Sequence, residues 1–93
     1  MSEPGKVRVR VVVHGYVQGV FFRDTTRRRA EHEGVAGWVR NNRDGTVEAV
    51  FEGERAAVDR LVRFCAEGPR GAQVERIERF DEEPEGLQAF SVE

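Results

Sequence analysis

Strict alternation of side-chain character near the N-terminus limits what this chain can fold into. Every second position carries a valine, namely Val7, Val9, Val11 and Val13. The residues between them are mostly polar. A period of two is what a β-strand with one buried face requires. The strand runs into a stretch with Gly15 and Gly19, which permits tight or positive-φ backbone and leads toward a helix. We therefore expect a half-buried strand that feeds a helix through a glycine-bearing connection.

Residues 22–33 are predicted to form that helix, because they contain good helix formers and no glycine or proline, and Gly34 is placed to end it. Glu33 puts a charge at an inward position, so the last turn is expected to fray or turn outward. The rest of the inward face of the helix has few apolar residues. It consists of Phe22, Thr26 and Ala30, which are four residues apart.

A β-hairpin is predicted next. Residues 35–41 and 46–51 are strand-like runs separated by Asn42-Arg43-Asp44-Gly45. Because Asp-Gly is a strong turn signal between two such runs, the pair is interpreted as a hairpin that closes at Gly53.

The C-terminal half is predicted to hold a second helix and two strands. Residues 54–67 have a broad apolar face that includes Cys65, and Gly68-Pro69 follows as a stop. Cys65 is interpreted as a small buried hydrophobe rather than a nucleophile. Apolar residues in 72–80 are spaced by three, which a helix also shows, and the segment is predicted to be a bulged strand. An acidic turn over 81–86 and a short strand over 87–92 end the chain.

The order β-α-β-β-α-β plus a terminal strand predicts an α+β fold. It is the split βαβ pattern of the ferredoxin-like sandwich, with two helices on one face of a largely antiparallel sheet. Ninety-three residues leave room for one domain, predicted over 7–93 behind a flexible N-terminus of residues 1–6. The same architecture carries RNA-binding, metal-binding and enzymatic sites, so the fold does not assign a function.

Composition excludes several partners. A formal net charge of −2 gives no long-range attraction for nucleic acid or an anionic membrane. The longest apolar run, Val11–Val13, is too short for a signal peptide or a membrane span. Cys65 is the only cysteine, so no intramolecular disulfide forms and the cytoplasm is the simplest location. A monomer is the default expectation for this size and surface.

The glycine-bearing connection is a candidate anion site. A loop from a strand into a helix turns several backbone N–H groups toward one point beside the positive end of the helix, where a phosphate-sized anion binds. Arg23, in the first helical turn, would add a bidentate contact to two phosphate oxygens. The same loop is also a plain structural device, and these residues alone leave both interpretations open.

Other chemistry has little support in the sequence. The chain has neither a Walker phosphate loop nor a dinucleotide fingerprint. His14 and His32 have no partners at metal-ligand spacing, and Ser2 and Ser91 lie near the termini without a nucleophile motif.

Two motifs resemble the signatures of the acylphosphatase family. The first is Val13-His14-Gly15-Tyr16-Val17-Gln18-Gly19-Val20-Phe21-Phe22-Arg23. The second, at the expected distance, is Gly37-Trp38-Val39-Arg40-Asn41, followed by a family-like Asp44-Gly45-Thr46-Val47 turn and Gly68-Pro69. The family-like pattern runs from about Val7 to Val92, and the chain is identified from these residues as a member of that family.

The resemblance implies an enzyme that hydrolyses acyl phosphates to carboxylate and inorganic phosphate without a metal or cofactor. It implies that Arg23 binds the phosphoryl group and that Asn41 orients the attacking water. Without the resemblance, Asn41 would be interpreted as a turn residue. The implied partner is a small-molecule acyl phosphate, with no nucleic acid or membrane. The residues implied to cradle the phosphate are Gly15, Tyr16, Val17, Gln18, Gly19 and Val20.

Two alternatives remain at this point. One is a non-catalytic anion-binding module, like the acylphosphatase-like domain at the N-terminus of larger maturation proteins, although no zinc-finger cysteines or downstream domain follow here. The other is an RNA-binding ferredoxin-like domain, whose aromatic platform motif is absent. Glu33 and Thr25 depart from the family pattern at positions that affect the packing of the helix rather than the site.

Overall fold

Two helices lie on a five-stranded sheet in the computed structural model of the protein, which describes residues 5–93. The predicted α+β ferredoxin-like sandwich is confirmed. Of the predicted flexible N-terminus, residues 1–4 lie outside the described residues, whereas Lys6 already belongs to the first strand. The elements in chain order are β1 (Lys6–Tyr16), α1 (Phe22–Glu33), β2 (Ala36–Asn41), β3 (Val47–Glu54), α2 (Arg55–Glu67), β4 (Gln73–Glu82) and β5 (Phe90–Val92).

The strands are ordered β4-β1-β3-β2-β5 across the sheet. β1 is antiparallel to both β3 and β4, β2 is antiparallel to β3, and β5 is parallel to β2. Val47, at the start of β3, pairs with Val13 on one side and with Asn41 on the other. The C-terminal ends of β1 and β2 therefore lie at the same end of the sheet, which brings the glycine-bearing loop beside the end of β2.

The alternation in β1 predicts its buried face correctly. Val9, Val11 and Val13 are at most 1% exposed and belong to one apolar core with the inward residues of β3 and of both helices. Cys65 on α2 is also buried, and this desolvation raises the pKa of its thiol to about 12. A neutral buried thiol is unreactive, so Cys65 is a core residue rather than a nucleophile.

α1 has the predicted bounds, and Gly34 follows it in the left-handed conformation with φ 70°. The amides of Gly34 and Val35 donate to the carbonyls of Glu31 and Ala30, which closes the helix. The expected fraying of the last turn is wrong. Arg60 of α2 donates to both carboxylate oxygens of Glu33, at 2.6 and 2.9 Å, and this ion pair joins the two helices.

Three strands extend beyond their predicted ends, and the first is β1, which continues through Gly15 to Tyr16. Gly53 does not close the hairpin, because β3 continues through it to Glu54. β4 continues to Glu82, so the acidic turn begins two residues later than expected. The predicted bulge is confirmed: His14 pairs with Arg76 and Gly15 with Val74, which leaves Glu75 without a partner on β1. β5 is shorter than predicted and covers only Phe90–Val92.

Candidate active site

The two glycines of the first motif serve different purposes. Gly19 has φ 76° and lies in the connection between β1 and α1, where a Cβ would meet no atom within 4 Å. Glycine is favoured at position 19 because it adopts the left-handed backbone conformation without a steric cost. Gly15 lies inside β1, and a Cβ there would overlap the main-chain oxygen of Gln73. Gly15 therefore lets β4 approach β1 closely, a reason that only the packed sheet shows.

The N-terminus of α1 has no side-chain cap. Phe21 occupies the N-cap position in the left-handed conformation, with φ 58° and ψ 25°, and its side chain cannot accept a hydrogen bond from the first turn. The first N–H groups of a helix have no partner within the helix and carry its positive end. They remain available to an anion at the end of the loop.

Arg23 lies in the first turn of α1 and is half-buried. Its Nη1 donates to the main-chain oxygen of Glu93 at 2.8 Å, which anchors the guanidinium to the end of β5. Within residues 5–93, its Nε and Nη2 form no hydrogen bond. The guanidinium is therefore held at one nitrogen and has donors left for a ligand.

Asn41 is the last residue of β2 and is exposed. Its side-chain amide has no hydrogen-bond partner among the described residues. The neighbouring Asn42 is different, since its amide donates to Thr46 Oγ1 at 3.0 Å and to Glu48 Oε1 at 3.2 Å. One asparagine holds the turn, and the other presents a free carbonyl and a free amide.

Gln18 joins the loop to the β2–β3 turn. Its Nε2 donates to the main-chain oxygens of Asn42 at 2.7 Å and Thr46 at 2.9 Å. The turn itself is closed by Asp44, which accepts from the backbone amide and the hydroxyl of Thr46. These donors lower the pKa of Asp44, the Thr46 hydroxyl most strongly. Gln18 is thus a brace between the loop and the strand that carries Asn41, a role that its place in the predicted cradle did not reveal.

A pocket of about 480 Å³ lies between the loop, the start of α1 and the ends of β2 and β5. Four of the predicted site residues line it: Val17, Gly19, Arg23 and Asn41. The pocket wall does not include Gly15, Tyr16, Gln18 or Val20. Residues that the sequence did not assign to a site also line it: Phe21, Phe22, Asp24, Arg27 and Val92.

Asp24 puts a carboxylate on this wall, and two arginines neutralise it. Arg27 donates to it at 2.9 Å, and Arg28 lies 3.0 Å from its other oxygen. The hydrogen bond from Arg27 is the main reason that the pKa of Asp24 is lowered. Because Asp24 is paired with Arg27 and Arg28, it does not cancel the charge of Arg23, and the pocket has a positive potential. The i,i+3 and i,i+4 spacing of these residues was the available sequence signal for the pairing.

A larger cavity, of about 1000 Å³, lies at the other end of the sheet. It is covered by residues 83–89, which cross from β4 to β5 and are named here the strap. Glu52 of β3 accepts hydrogen bonds from the backbone amides of Glu85, Gly86 and Leu87 and from Arg8. Burial raises the pKa of Glu52, but these donors, Arg8 first, outweigh it and the pKa is lowered. None of the predicted site residues lines this cavity.

The sheet face away from the helices carries paired charges. Arg10 lies over the Phe80 ring at 4.2 Å and pairs with Glu82 and Glu48, and Arg40 lies 4.9 Å from the Trp38 ring and also pairs with Glu48. Arginines therefore cover the aromatic rings, and carboxylates balance the arginines. A platform for stacking nucleic-acid bases needs open rings and unbalanced positive charge.

Among residues 5–93, no three His, Cys, Asp or Glu side chains are grouped so that they would hold a metal ion. Neither of the two helices in this part of the chain is long and apolar enough to span a membrane.

Fold and site together define a ferredoxin-like domain with a positive pocket where a loop enters a helix. Comparison with known proteins gives a specific match: the Acylphosphatase family model matches residues 9–92. An acylphosphatase of Rubrobacter xylanophilus is 64% identical over 87 residues, covering 91% of this chain and 78% of that protein. An acylphosphatase from Coxiella burnetii has the same fold with a TM-score of 0.91 at 37% identity, covering 96% of this chain and 94% of the other.

The chain therefore belongs to the acylphosphatase family, and it is an acylphosphatase enzyme. Full-length HypF in its phosphate- and nucleotide-bound form is also similar, with a TM-score of 0.87 at 25% identity. That match covers 98% of this chain but 12% of HypF.

Proposed function

We propose that this protein hydrolyses carboxyl phosphates by direct attack of a water molecule on phosphorus, without a metal or a covalent intermediate. Arg23 and the backbone N–H groups of the loop hold the phosphoryl group, and Asn41 holds the water. The observation that carries the proposal is the pocket that joins Arg23 to Asn41. Within residues 5–93, two nitrogens of the Arg23 guanidinium and the side-chain amide of Asn41 form no hydrogen bond.

The phosphoryl group is the natural ligand for the loop side of this pocket. An acyl phosphate places negative charge on its phosphoryl oxygens, and the uncapped start of α1 supplies N–H groups with a positive partial charge. Arg23 adds charge-assisted hydrogen bonds that strengthen as charge develops on those oxygens in the transition state. Its bond to Glu93 fixes the guanidinium before the substrate arrives.

Asn41 suits the water. Its carbonyl oxygen accepts a hydrogen bond from the water while its amide donates to a phosphoryl oxygen or to the water oxygen. An asparagine is not a base, so it aims the nucleophile without removing its proton. Gln18 keeps the β2–β3 turn at a fixed distance from the loop, and this preserves the geometry between the two halves of the site.

The reaction itself needs little chemical assistance. A carboxyl phosphate is a mixed anhydride with a good leaving group, so positioning and charge stabilisation suffice. The water oxygen forms the new bond to phosphorus, the bond from phosphorus to the acyl oxygen breaks, and the carboxylate leaves with the electron pair. A phosphoryl oxygen of the substrate takes the proton. The products are the carboxylate and inorganic phosphate.

The test is hydrolysis of benzoyl phosphate with excess chelator present. We expect turnover well above the rate in buffer and unchanged by the chelator. A rate equal to buffer would leave a non-catalytic anion-binding module, the first of the two alternatives that the sequence left open. A rate that required added metal would overturn the metal-free mechanism. The cytoplasmic location and the monomeric state stay predictions.

A further inference from the structure

Phe21 is unusual in two ways. Among residues 5–93 it is the one non-glycine residue with a positive φ, at 58°. It is also 81% exposed, more than any other large hydrophobic residue in that part of the chain. A bulky residue in the left-handed region is sterically unfavourable, and an exposed phenyl ring contributes little to the core. Such outliers gather at ligand sites, where the surrounding structure holds them in place.

The position of Phe21 relates it to the substrate. It precedes Arg23 by two residues and lies on the wall of the same pocket. Pockets of ~300–1,000 Å³ hold ligands larger than a phosphate ion, so a pocket of about 480 Å³ has room beside the phosphoryl group. That room is for the acyl half of the substrate.

Two exposed apolar residues on the wall are available to contact an acyl group, Phe21 and Val92. Val92 pairs with Val39, two residues before Asn41, and the next residue, Glu93, accepts the hydrogen bond from Arg23, so Val92 lies beside the residues proposed to hold both the water and the phosphoryl group. In an in-line displacement the leaving carboxylate departs from the face of phosphorus opposite the water. Phe21 is the more exposed of the two, at 81% against 42%, and its ring offers the acyl group the larger contact surface.

We propose that the Phe21 ring is the platform for the acyl group, so that this enzyme prefers acyl phosphates with aromatic or bulky apolar acyl groups over acetyl phosphate. The proposal rests on the proposed function, because it assumes that Arg23 holds the phosphoryl group. A flat acyl group stacks on the ring and buries apolar area that acetyl lacks. The left-handed backbone turns the ring out from the core to face the ligand.

The experiment compares kcat/KM for benzoyl phosphate and acetyl phosphate in the wild type, Phe21→Gly, Phe21→Tyr and Val92→Ala. Glycine removes the ring and adopts the left-handed conformation readily, so the loop keeps its shape. We expect Phe21→Gly to lower the benzoyl-to-acetyl preference about tenfold through KM, the size expected for one lost ring contact. Phe21→Tyr should keep the wild-type preference, and so should Val92→Ala.

Inhibition by inorganic phosphate separates the two proposals. If Phe21 contacts only the acyl group, the phosphate inhibition constant of Phe21→Gly stays within twofold of the wild type. Equal losses for both substrates, together with weaker phosphate inhibition, would show that Phe21 only shapes the loop. A loss of preference in Val92→Ala instead would place the acyl group at β5, and either result overturns the inference. Failure of the proposed function would look different, because the wild type would hydrolyse neither substrate.

Discussion

The two ends of the sheet treat their polar groups in opposite ways. At the strap end, the carboxylate of Glu52 is buried and receives hydrogen bonds from three backbone amides and from Arg8. At the loop end, Arg23 uses one of its nitrogens and Asn41 uses none of its side-chain donors or acceptors within residues 5–93. The strap end is complete as a structure, whereas the loop end has capacity left for a ligand.

The larger of the two cavities does not hold the candidate site. The cavity under the strap is about 1000 Å³ and the pocket at the loop is about 480 Å³. Hydrogen bonds to charged groups stabilise a fold by about 1.5–3 kcal/mol, so groups left without partners are kept where a ligand supplies the bond. The loop end is therefore expected to control activity, and the strap end stability.

The largest expected effect is from Arg23→Ala. Losing the guanidinium removes charge stabilisation in both the bound substrate and the transition state, so kcat/KM should fall about 10³-fold and phosphate inhibition should weaken in parallel. Benzoyl phosphate kinetics and phosphate inhibition measure the two effects. Arg63→Ala, which removes an exposed arginine of α2, is the charge-matched control and should stay within twofold of the wild type. Equal losses in both variants would mean that overall charge matters rather than this site.

Asn41→Ala should lower kcat about 10²-fold while the phosphate inhibition constant changes little, because the water and not the phosphate loses its partner. The neighbouring Asn42→Ala provides the contrast. It breaks three side-chain hydrogen bonds, with Arg40, Thr46 and Glu48, so its unfolding free energy in urea should fall by about 1 kcal/mol, whereas that of Asn41→Ala should not. Asn41→Ala with normal kcat would remove Asn41 from the mechanism and leave it as a turn residue.

Glu52→Gln tests the strap end. The change leaves the buried Arg8 with one carboxylate partner fewer, so the unfolding free energy should fall by about 2 kcal/mol while kcat stays within twofold. Glu85→Gln is the matched control, since Glu85 is exposed and lies 3.5 Å from Arg8. That change should cost less than about 0.5 kcal/mol. A large loss of activity in Glu52→Gln would contradict the expectation that the loop end controls activity and the strap end controls stability.

Gln18→Ala should lower both activity and stability, each by less than the variant above that has the largest effect on it. Removing the two bonds to the turn carbonyls frees the loop to move relative to Asn41, so kcat should fall about tenfold and the unfolding free energy by about 1 kcal/mol. The two measurements are benzoyl phosphate turnover and urea unfolding. If stability fell but kcat did not, the brace would be structural only.

The smallest expected effect concerns acid stability through Glu48. Burial raises its pKa, but hydrogen bonds from Arg40 and Asn42 outweigh this and leave the pKa lowered. Its contribution to stability is present above the ordinary glutamate pKa of about 4.3 and is lost as the pH falls through the lower folded-state pKa. Urea unfolding from pH 7 to pH 3 should therefore show a shallower loss for Glu48→Gln than for the wild type. If the unfolding free energies of the two proteins fell in parallel with pH, Glu48 would have the same pKa in the folded and unfolded states.

Sequence patterns were enough for features with a local cause. The alternation of valines predicts β1, and Gly34 predicts the end of α1, because each depends on residues within a few positions. Arg23 and Asn41, which the two motifs nominate, line one pocket, and their roles stay predictions. Only the family resemblance raised Asn41 above a turn residue. Glu33 was misjudged because its partner, Arg60, is 27 residues away on another helix.

The order of the elements, the buried face of β1 and the family follow from the amino-acid sequence alone. Three contacts are visible only in the folded chain: Gln18 braces the turn, Gly15 makes room for β4, and Val92 shares a pocket with Arg23. Each of these contacts joins residues far apart in the chain, and local periodicity carries no information about which distant residues meet. The strand order of the sheet brings these residues together.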